Sequence, residues 1–220
     1  GCAGAESANA CLFEAICELP EYYLTRAEAE ILSTSASDIV DEVGAPVELV
    51  ELGSGSATKT RFVIEAILAR QDTLHYRPID ISRAALDDSA GALGADFPRL
   101  TIDGIEGEYA EGIRRLRGEA ETARLILFLG SNIGNMSPDE AVDFLSAIRA
   151  NVSARDAMLI GMDLRKDAGV LERAYDDSQG ITAAFNMNVL ERVNRELRGD
   201  FDLGEFRHAA RYDDVEGRVE

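Results

Sequence analysis

Between residues 47 and 162 the sequence alternates short apolar segments with segments of helical character, and this alternation restricts the folds open to it. The pattern predicts strands at 47–52, 74–79, 100–102, 125–129 and 158–162, and helices at 58–70, at 82–93 and from Ser137 onward. The segment 125–129 is continuously apolar, which is typical of a strand covered on both faces. Strands that alternate with helices predict a doubly wound, parallel α/β sheet that binds its ligand at the carboxyl ends of the strands.

The segments on either side of this region lack the alternation. Before it, Thr25 and Glu28 have the spacing of a capping box that opens a helix. After Lys166, helices are predicted at 170–176 and 181–197. In the second of these, apolar residues recur at every fourth position from Phe185 to Leu197, which predicts a core-facing side. We therefore expect a sheet domain at 45–166 and a partial second domain built from 1–44 and 167–220.

The charge balance restricts the partners of the chain. It has 22 basic and 41 acidic residues, a net charge of −19. Such a field repels phosphate backbones, so we expect no nucleic-acid partner. His75 and His208 have no neighbours at metal-ligand spacing, so no metal site is expected. Because no long apolar run and no signal segment are visible, we also expect a cytoplasmic monomer without a membrane partner.

A glycine-containing loop follows the first predicted strand and precedes a helix, where free N–H groups face a ligand. A P-loop is excluded because Thr58, and not glycine, precedes Lys59, and the third glycine of a dinucleotide fingerprint is absent. The remaining pattern at 51–55, an acid and a hydrophobic residue followed by Gly-x-Gly, is typical of S-adenosylmethionine-dependent methyltransferases. The alternative is a tight turn between strand and helix that binds nothing.

Two polar residues follow other strands at the same edge of the predicted sheet. Asp80 ends the second strand, where a carboxylate can accept both ribose hydroxyl hydrogens of an adenosine ligand. The alternative is a residue that helps to start the helix at Ser82. Asn135 follows the fourth strand, and its amide can bind the amine and the carboxylate of an amino acid. The alternative is a turn residue before Ser137.

Two tyrosines outside the sheet region, Tyr22 and Tyr175, are candidates for closing over the mouth of the sheet. Composition alone favours a packing role for each of them. Both occur in longer motifs that, together with the glycine loop, resemble the histidine-specific Nα-methyltransferases of ergothioneine biosynthesis. The motifs lie, in order, at 19–26, 51–55, 59–61, 128–135, 163–167, 174–186, 194–197 and 200–202.

The resemblance implies a Rossmann-like class I methyltransferase sheet with a partial substrate-binding domain. It implies that S-adenosylmethionine supplies three methyl groups to the α-amine of L-histidine, which gives hercynine. Carried over by motif, the cofactor-binding residues are Gly53, Lys59, Asp80, Glu108 and Tyr109. Carried over in the same way, the residues that bind the substrate amine and carboxylate, and so form the catalytic set, are Tyr22, Asn135 and Tyr175.

The sequence departs from the family pattern in three places. Glu108 stands where the family usually has aspartate, and residues 5–10 replace a segment that carries another pocket tyrosine. The family also continues beyond Glu220 with the segment that contacts the imidazole, so we expect a fragment or a short form. Two alternatives therefore stay open: a methyltransferase for another small amine or amino acid, and an inactive truncated fragment that binds the cofactor.

Overall fold

The computed structural model of the 220-residue chain describes residues 5–55, 57–117 and 122–220. The chain divides into two compact units. We call Ala27–Asp163 the sheet unit, and residues 1–26 with Leu164–Glu220 the helical unit.

The described part of the sheet unit contains six strands, all of which pair in parallel. They are β1 (Val47–Leu52), β2 (Leu74–Asp80), β3 (Leu100–Ile102), β4 (Ile105–Glu106), β5 (Ala123–Phe128) and β6 (Ala157–Ile160). Their order is β3-β2-β1-β5-β6, and β4 pairs with the end of β2. Because the chain winds outward from β1 on one side and returns to its other side at β5, the carboxyl ends of β1 and β5 form the topological switch point.

Helices cover both faces of this sheet, as the apolar run of the fourth predicted strand requires. In β5, Leu125 and Leu127 lie in one hydrophobic core, whereas Ile126 and Phe128 lie in the other. This alternation follows from the two-residue period of a strand. The predicted doubly wound sheet and its burial on both faces are therefore confirmed.

Five helices belong wholly or mainly to the described part of the sheet unit: α2 (Leu24–Val43), α3 (Thr60–Leu68), α4 (Arg83–Asp96), α5 (Tyr109–Arg115) and α6 (Pro138–Arg149). In α2, Leu32, Ala36 and Val40 are buried in the same core as β1. This packing explains why residues 27–44 group with the sheet, whereas the sequence-based division assigned them to the second domain.

The helical unit contains α1 (Ala5–Cys17), α7 (Ala168–Tyr175), α8 (Ile181–Leu197) and a short hairpin of β7 (Tyr212–Asp213) and β8 (Arg218–Val219). Its core comprises Ile16, Leu19, Tyr22, Leu24 and Ala174. Of the apolar row in α8 that was predicted to face the core, Phe185 packs against this core, but the prediction is wrong for Val189 and Leu197, which are exposed. Within the described ranges, no helix is both long enough and apolar enough to cross a bilayer.

We expect Gly112→Ala to destabilise the sheet unit by about 1–3 kcal/mol, because a Cβ at this buried position in α5 would overlap the side chain of Ile79. Gly91→Ala is the matched control, because Gly91 lies exposed in α4 and an added Cβ would meet none of the described atoms within 4 Å. Helix propensity should make that variant more stable by roughly 0.5–1 kcal/mol. Urea unfolding of both variants measures the difference, and equal effects would contradict the packing of α5.

Candidate functional site

The glycine loop leaves β1 at the carboxyl edge of the sheet. Gly53 and Gly55 have φ angles of +75° and +49°, which favour glycine. The Gly53 N–H donates to the carbonyl oxygen of Ile79 at 2.8 Å, so the loop starts against the end of β2. A Cβ on Gly53 would lie 2.7 Å from Tyr109 Oη, whereas one on Gly55 would meet no atom of the described residues within 4 Å. Glycine is therefore required at position 53 both by the close approach of the Tyr109 hydroxyl and by the positive φ angle. Residue 56 of this loop lies outside the described residues.

Asp80 and the start of α5 lie beside this loop. The backbone oxygen of Asp80 accepts from the Gly107 N–H at 3.0 Å, and its Oδ1 accepts from the Ser82 N–H at 2.9 Å. The first bond ties the segment that leads to Glu108 to the end of β2, and the second fixes the turn before α4. Glu108 is exposed, and its carboxylate makes no capping bond to α5.

Tyr109, the first residue of α5, contacts both the glycine loop and β5. Its ring packs edge-on against Phe128, with 5.6 Å between ring centroids. Burial, and then the charge of Asp80, raises the pKa of the Tyr109 phenol, so the hydroxyl above Gly53 stays protonated at neutral pH. The structure therefore brings Gly53, Asp80 and Tyr109 together, with Glu108 adjacent to them.

Lys59 immediately precedes α3, and its ammonium forms an ion pair with Glu28 of α2. Both carboxylate oxygens of Glu28 also accept from the Gly130 N–H, at 2.8 and 3.0 Å. The prediction that Glu28 closes a capping box with Thr25 is therefore wrong, because its carboxylate binds Lys59 and the Gly130 N–H instead. Sequence reasoning missed this role, since a single acid 31 residues before its lysine partner carries no local signal.

Glu51 of β1 lies beneath the glycine loop and is only 3% exposed. Its carboxylate accepts from Thr60 Oγ1 at 2.8 and 2.9 Å, and it also accepts from the Tyr76 hydroxyl. Burial raises the pKa of the Glu51 carboxyl to about 7, while these two hydrogen bonds and the charge of Lys59 oppose that rise. Glu51 thus ties the start of α3 to β1 and β2.

The loop after β5 carries the other candidate of the sheet unit. Gly130 and Ser131 have φ angles of +78° and +57°, and residues Asn132–Asn135 form one turn of 3-10 helix. The Ser131 Oγ accepts from the Asp163 N–H at 3.0 Å, which joins this turn to the segment after β6. Asn135 is exposed at the end of the turn, and no hydrogen bond joins its amide to another described residue.

The predicted capping box at the next helix is confirmed. Ser137 accepts from the Glu140 N–H, and the Glu140 carboxylate accepts from the Ser137 N–H. These bonds fix the N-cap of α6 at Ser137, two residues after Asn135.

In the helical unit, Tyr22 and Tyr175 lie together. Their rings meet edge to face, 5.9 Å apart and at 89°. Asp177 fixes the turn after Tyr175 by accepting from the Thr182 and Ile181 N–H groups at 2.7 and 3.1 Å. Burial acts to raise the pKa of Asp177, but these hydrogen bonds outweigh it and hold the pKa below its usual range. In the part of the chain that the structure describes, no three His, Cys, Asp or Glu side chains are arranged to hold a metal ion.

Comparison with known proteins gives consistent matches. A family model described as "Histidine-specific methyltransferase, SAM-dependent" matches residues 9–220. The chain is 44% identical to the histidine N-alpha-methyltransferase of Mycolicibacterium smegmatis over 209 residues, which are 95% of this chain and 64% of that protein. It is 32% identical to the ergothioneine biosynthesis protein 1 of Neurospora crassa over 205 residues, or 91% of this chain and 23% of that one. The chain thus spans less than two thirds of the mycobacterial relative.

Among solved structures, a candidate methyltransferase from Thermobifida fusca YX is similar, with a TM-score of 0.50 and 15% sequence identity. The match covers 82% of this chain and 65% of that one. At this identity the likeness concerns the fold alone, and it agrees with the Rossmann-like class I sheet expected from the sequence.

We expect Glu51 to make stability depend on pH. Its folded-state pKa of about 7 lies above the ordinary 4.5, so the stabilisation present below pH 4.5 is lost as pH rises through about 7. Glu51→Gln keeps an acceptor for Thr60 and Tyr76 but does not titrate. From pH 5 to pH 8 the free energy of unfolding should therefore fall by roughly 2.5 kcal/mol more in the wild type than in the variant. Urea unfolding at both pH values measures this, and a constant difference would contradict it.

Proposed function

Since this chain belongs to the histidine-specific, S-adenosylmethionine-dependent methyltransferase family, we propose that it serves the Nα-methylation of L-histidine to hercynine in ergothioneine biosynthesis. The observation that carries the proposal is the family match over residues 9–220, together with 44% identity to a relative that bears this activity in its name. The occurrence of the family motifs in order along the chain supports it.

We propose that Gly53, Lys59, Asp80, Glu108 and Tyr109 hold the cofactor. The geometry fits such a ligand: the backbone at Gly55 is open, and one Asp80 oxygen remains for a ribose hydroxyl after Oδ1 binds the Ser82 N–H. The exposed carboxylate of Glu108 can accept from an exocyclic amine. When bound, S-adenosylmethionine supplies a methyl group on a positively charged sulfur.

We propose that Tyr22, Asn135 and Tyr175 bind the amine and carboxylate of the amino acid. Methyl transfer requires a neutral amine held in line with the donor, with water excluded. Phenol and amide groups are neutral hydrogen-bonding partners, so they can orient an amine without protonating it. The side-chain amide of Asn135 offers both a donor and an acceptor for this purpose.

The test is calorimetric titration of the chain with S-adenosylhomocysteine, then with L-histidine, followed by mass spectrometry of histidine incubated with S-adenosylmethionine. We expect both ligands to bind and histidine to gain up to three methyl groups. L-tryptophan is the control amino acid and should gain none. Methylation of tryptophan in place of histidine would favour the broader amino-acid methyltransferase. Cofactor binding without turnover would favour the inactive fragment, and absence of cofactor binding by folded protein would contradict the proposal.

Two variants should separate the two ligands. Asp80→Ala removes the proposed ribose acceptor and should weaken binding of S-adenosylhomocysteine by more than about tenfold. Asn135→Ala should weaken histidine binding while the affinity for S-adenosylhomocysteine stays unchanged. Asp88→Ala, an exposed position on α4, is the control for the loss of an acid. Calorimetry on all three variants measures the effects, and loss of both ligands from Asn135→Ala would indicate a folding defect instead.

A further inference from the structure

Glu28 lies where three loops of the sheet unit approach one another. Its carboxylate pairs with Lys59 after β1 and accepts twice from the Gly130 N–H after β5. The third approach is at Gly161, directly after β6, where a Cβ would collide with Glu28 Oε1. One side chain from α2 thus contacts the chain beyond the carboxyl ends of three neighbouring strands, β1, β5 and β6.

These contacts are largely withdrawn from solvent. The side chains of Glu28 and Lys59 are 14% and 23% exposed. Hydrogen bonds to a charged group are stronger than those between neutral groups, and partial burial reduces screening of the ion pair. Loss of the Glu28 charge would leave the Lys59 ammonium without its charged partner and would weaken the hydrogen bond from the Gly130 N–H.

Lys59 is also coupled to a second carboxylate. Its positive charge lowers the pKa of Glu51, whereas the negative charge of Glu28 raises it. Among the described residues, the groups that hydrogen-bond to the Glu51 carboxylate are the hydroxyls of Thr60 and Tyr76. Lys59 is therefore shared by two acids, and Glu28 is the one that draws its ammonium towards the loop after β5.

We infer that Glu28 is a positioning residue for the cofactor site, acting through Lys59 and Gly130. Its carboxylate aligns the glycine loop with the loop that carries Asn135, at the topological switch point between β1 and β5. An ammonium has three donors, so the bond to Glu28 leaves Lys59 further donors for a ligand. The inference rests on the proposed function, because it assumes that these loops bind the cofactor.

The experiment compares wild type with Glu28→Gln, which keeps the shape of the side chain and removes its charge. The control is Glu30→Gln, an exposed position on the same helix. By calorimetry, Glu28→Gln should bind S-adenosylhomocysteine at least about tenfold more weakly than wild type, and Glu30→Gln should bind it equally well. Unchanged affinity in folded Glu28→Gln would overturn the inference.

A spectroscopic readout separates this role from a merely structural one. In protein carrying carbon-13 at the glutamate carboxyls, the Glu51 signal should titrate at a lower pH in Glu28→Gln than in wild type. Both causes act in that direction, because a neighbouring negative charge is lost and Lys59 turns to Glu51. An unmoved titration midpoint of Glu51 would overturn the inference. This readout does not need a bound cofactor, so it tests the inference even if wild type fails to bind S-adenosylhomocysteine and the proposed function is contradicted.

Gly161→Ala provides a second variant, which changes no charge and decides the question if Glu28→Gln does not fold. The added Cβ would displace the Glu28 carboxylate, while the nearest backbone atom, the Gly130 nitrogen, lies at 3.4 Å. We expect this variant also to bind S-adenosylhomocysteine more weakly. Wild-type affinity in Gly161→Ala would overturn the inference.

Discussion

The burial of β1 between two layers of helices is the constraint on which the rest of the structure depends. Every residue of this strand is buried, including Glu48 and Glu51. Each acid must therefore find partners within the protein, since an unpaired buried charge is strongly unfavourable. Glu48 pairs with Arg77 and Arg124, and Glu51 binds hydroxyl groups near the glycine loop. The strand thus fixes both the order of the sheet and the polar contacts beneath its ligand edge.

The sequence predicted the features that depend on local pattern. The apolar run of β5, the Ser137 capping box and the glycine loop each depend on residues close together in the chain, and all three are present. The family resemblance drawn from the motifs is confirmed by the match over residues 9–220, and the family description confirms S-adenosylmethionine as its cofactor.

The features that escaped prediction depend on contacts distant in sequence or on very short elements. The strand β4 has two residues and α5 has seven, too few for a hydrophobic period to show. The side chain of Glu28 fits a capping box by spacing, but it forms stronger, charge-assisted bonds with Lys59 and with the Gly130 N–H, 102 residues away. In α8 the four-residue spacing favoured a buried side, yet Val189 and Leu197 face solvent. The roles assigned to the candidate site residues stay predictions.

The overlap that a side chain at Gly161 would make with Glu28 also bears on how this sheet edge can change over evolutionary time. A larger residue at 161 can be accommodated only after the acid at 28 has been lost or moved. Conversely, a chain without that acid gains room at 161 but leaves Lys59 without its partner on α2. The two positions, 133 residues apart in the sequence, should therefore covary, because a change at either one is tolerated only when the other has also changed.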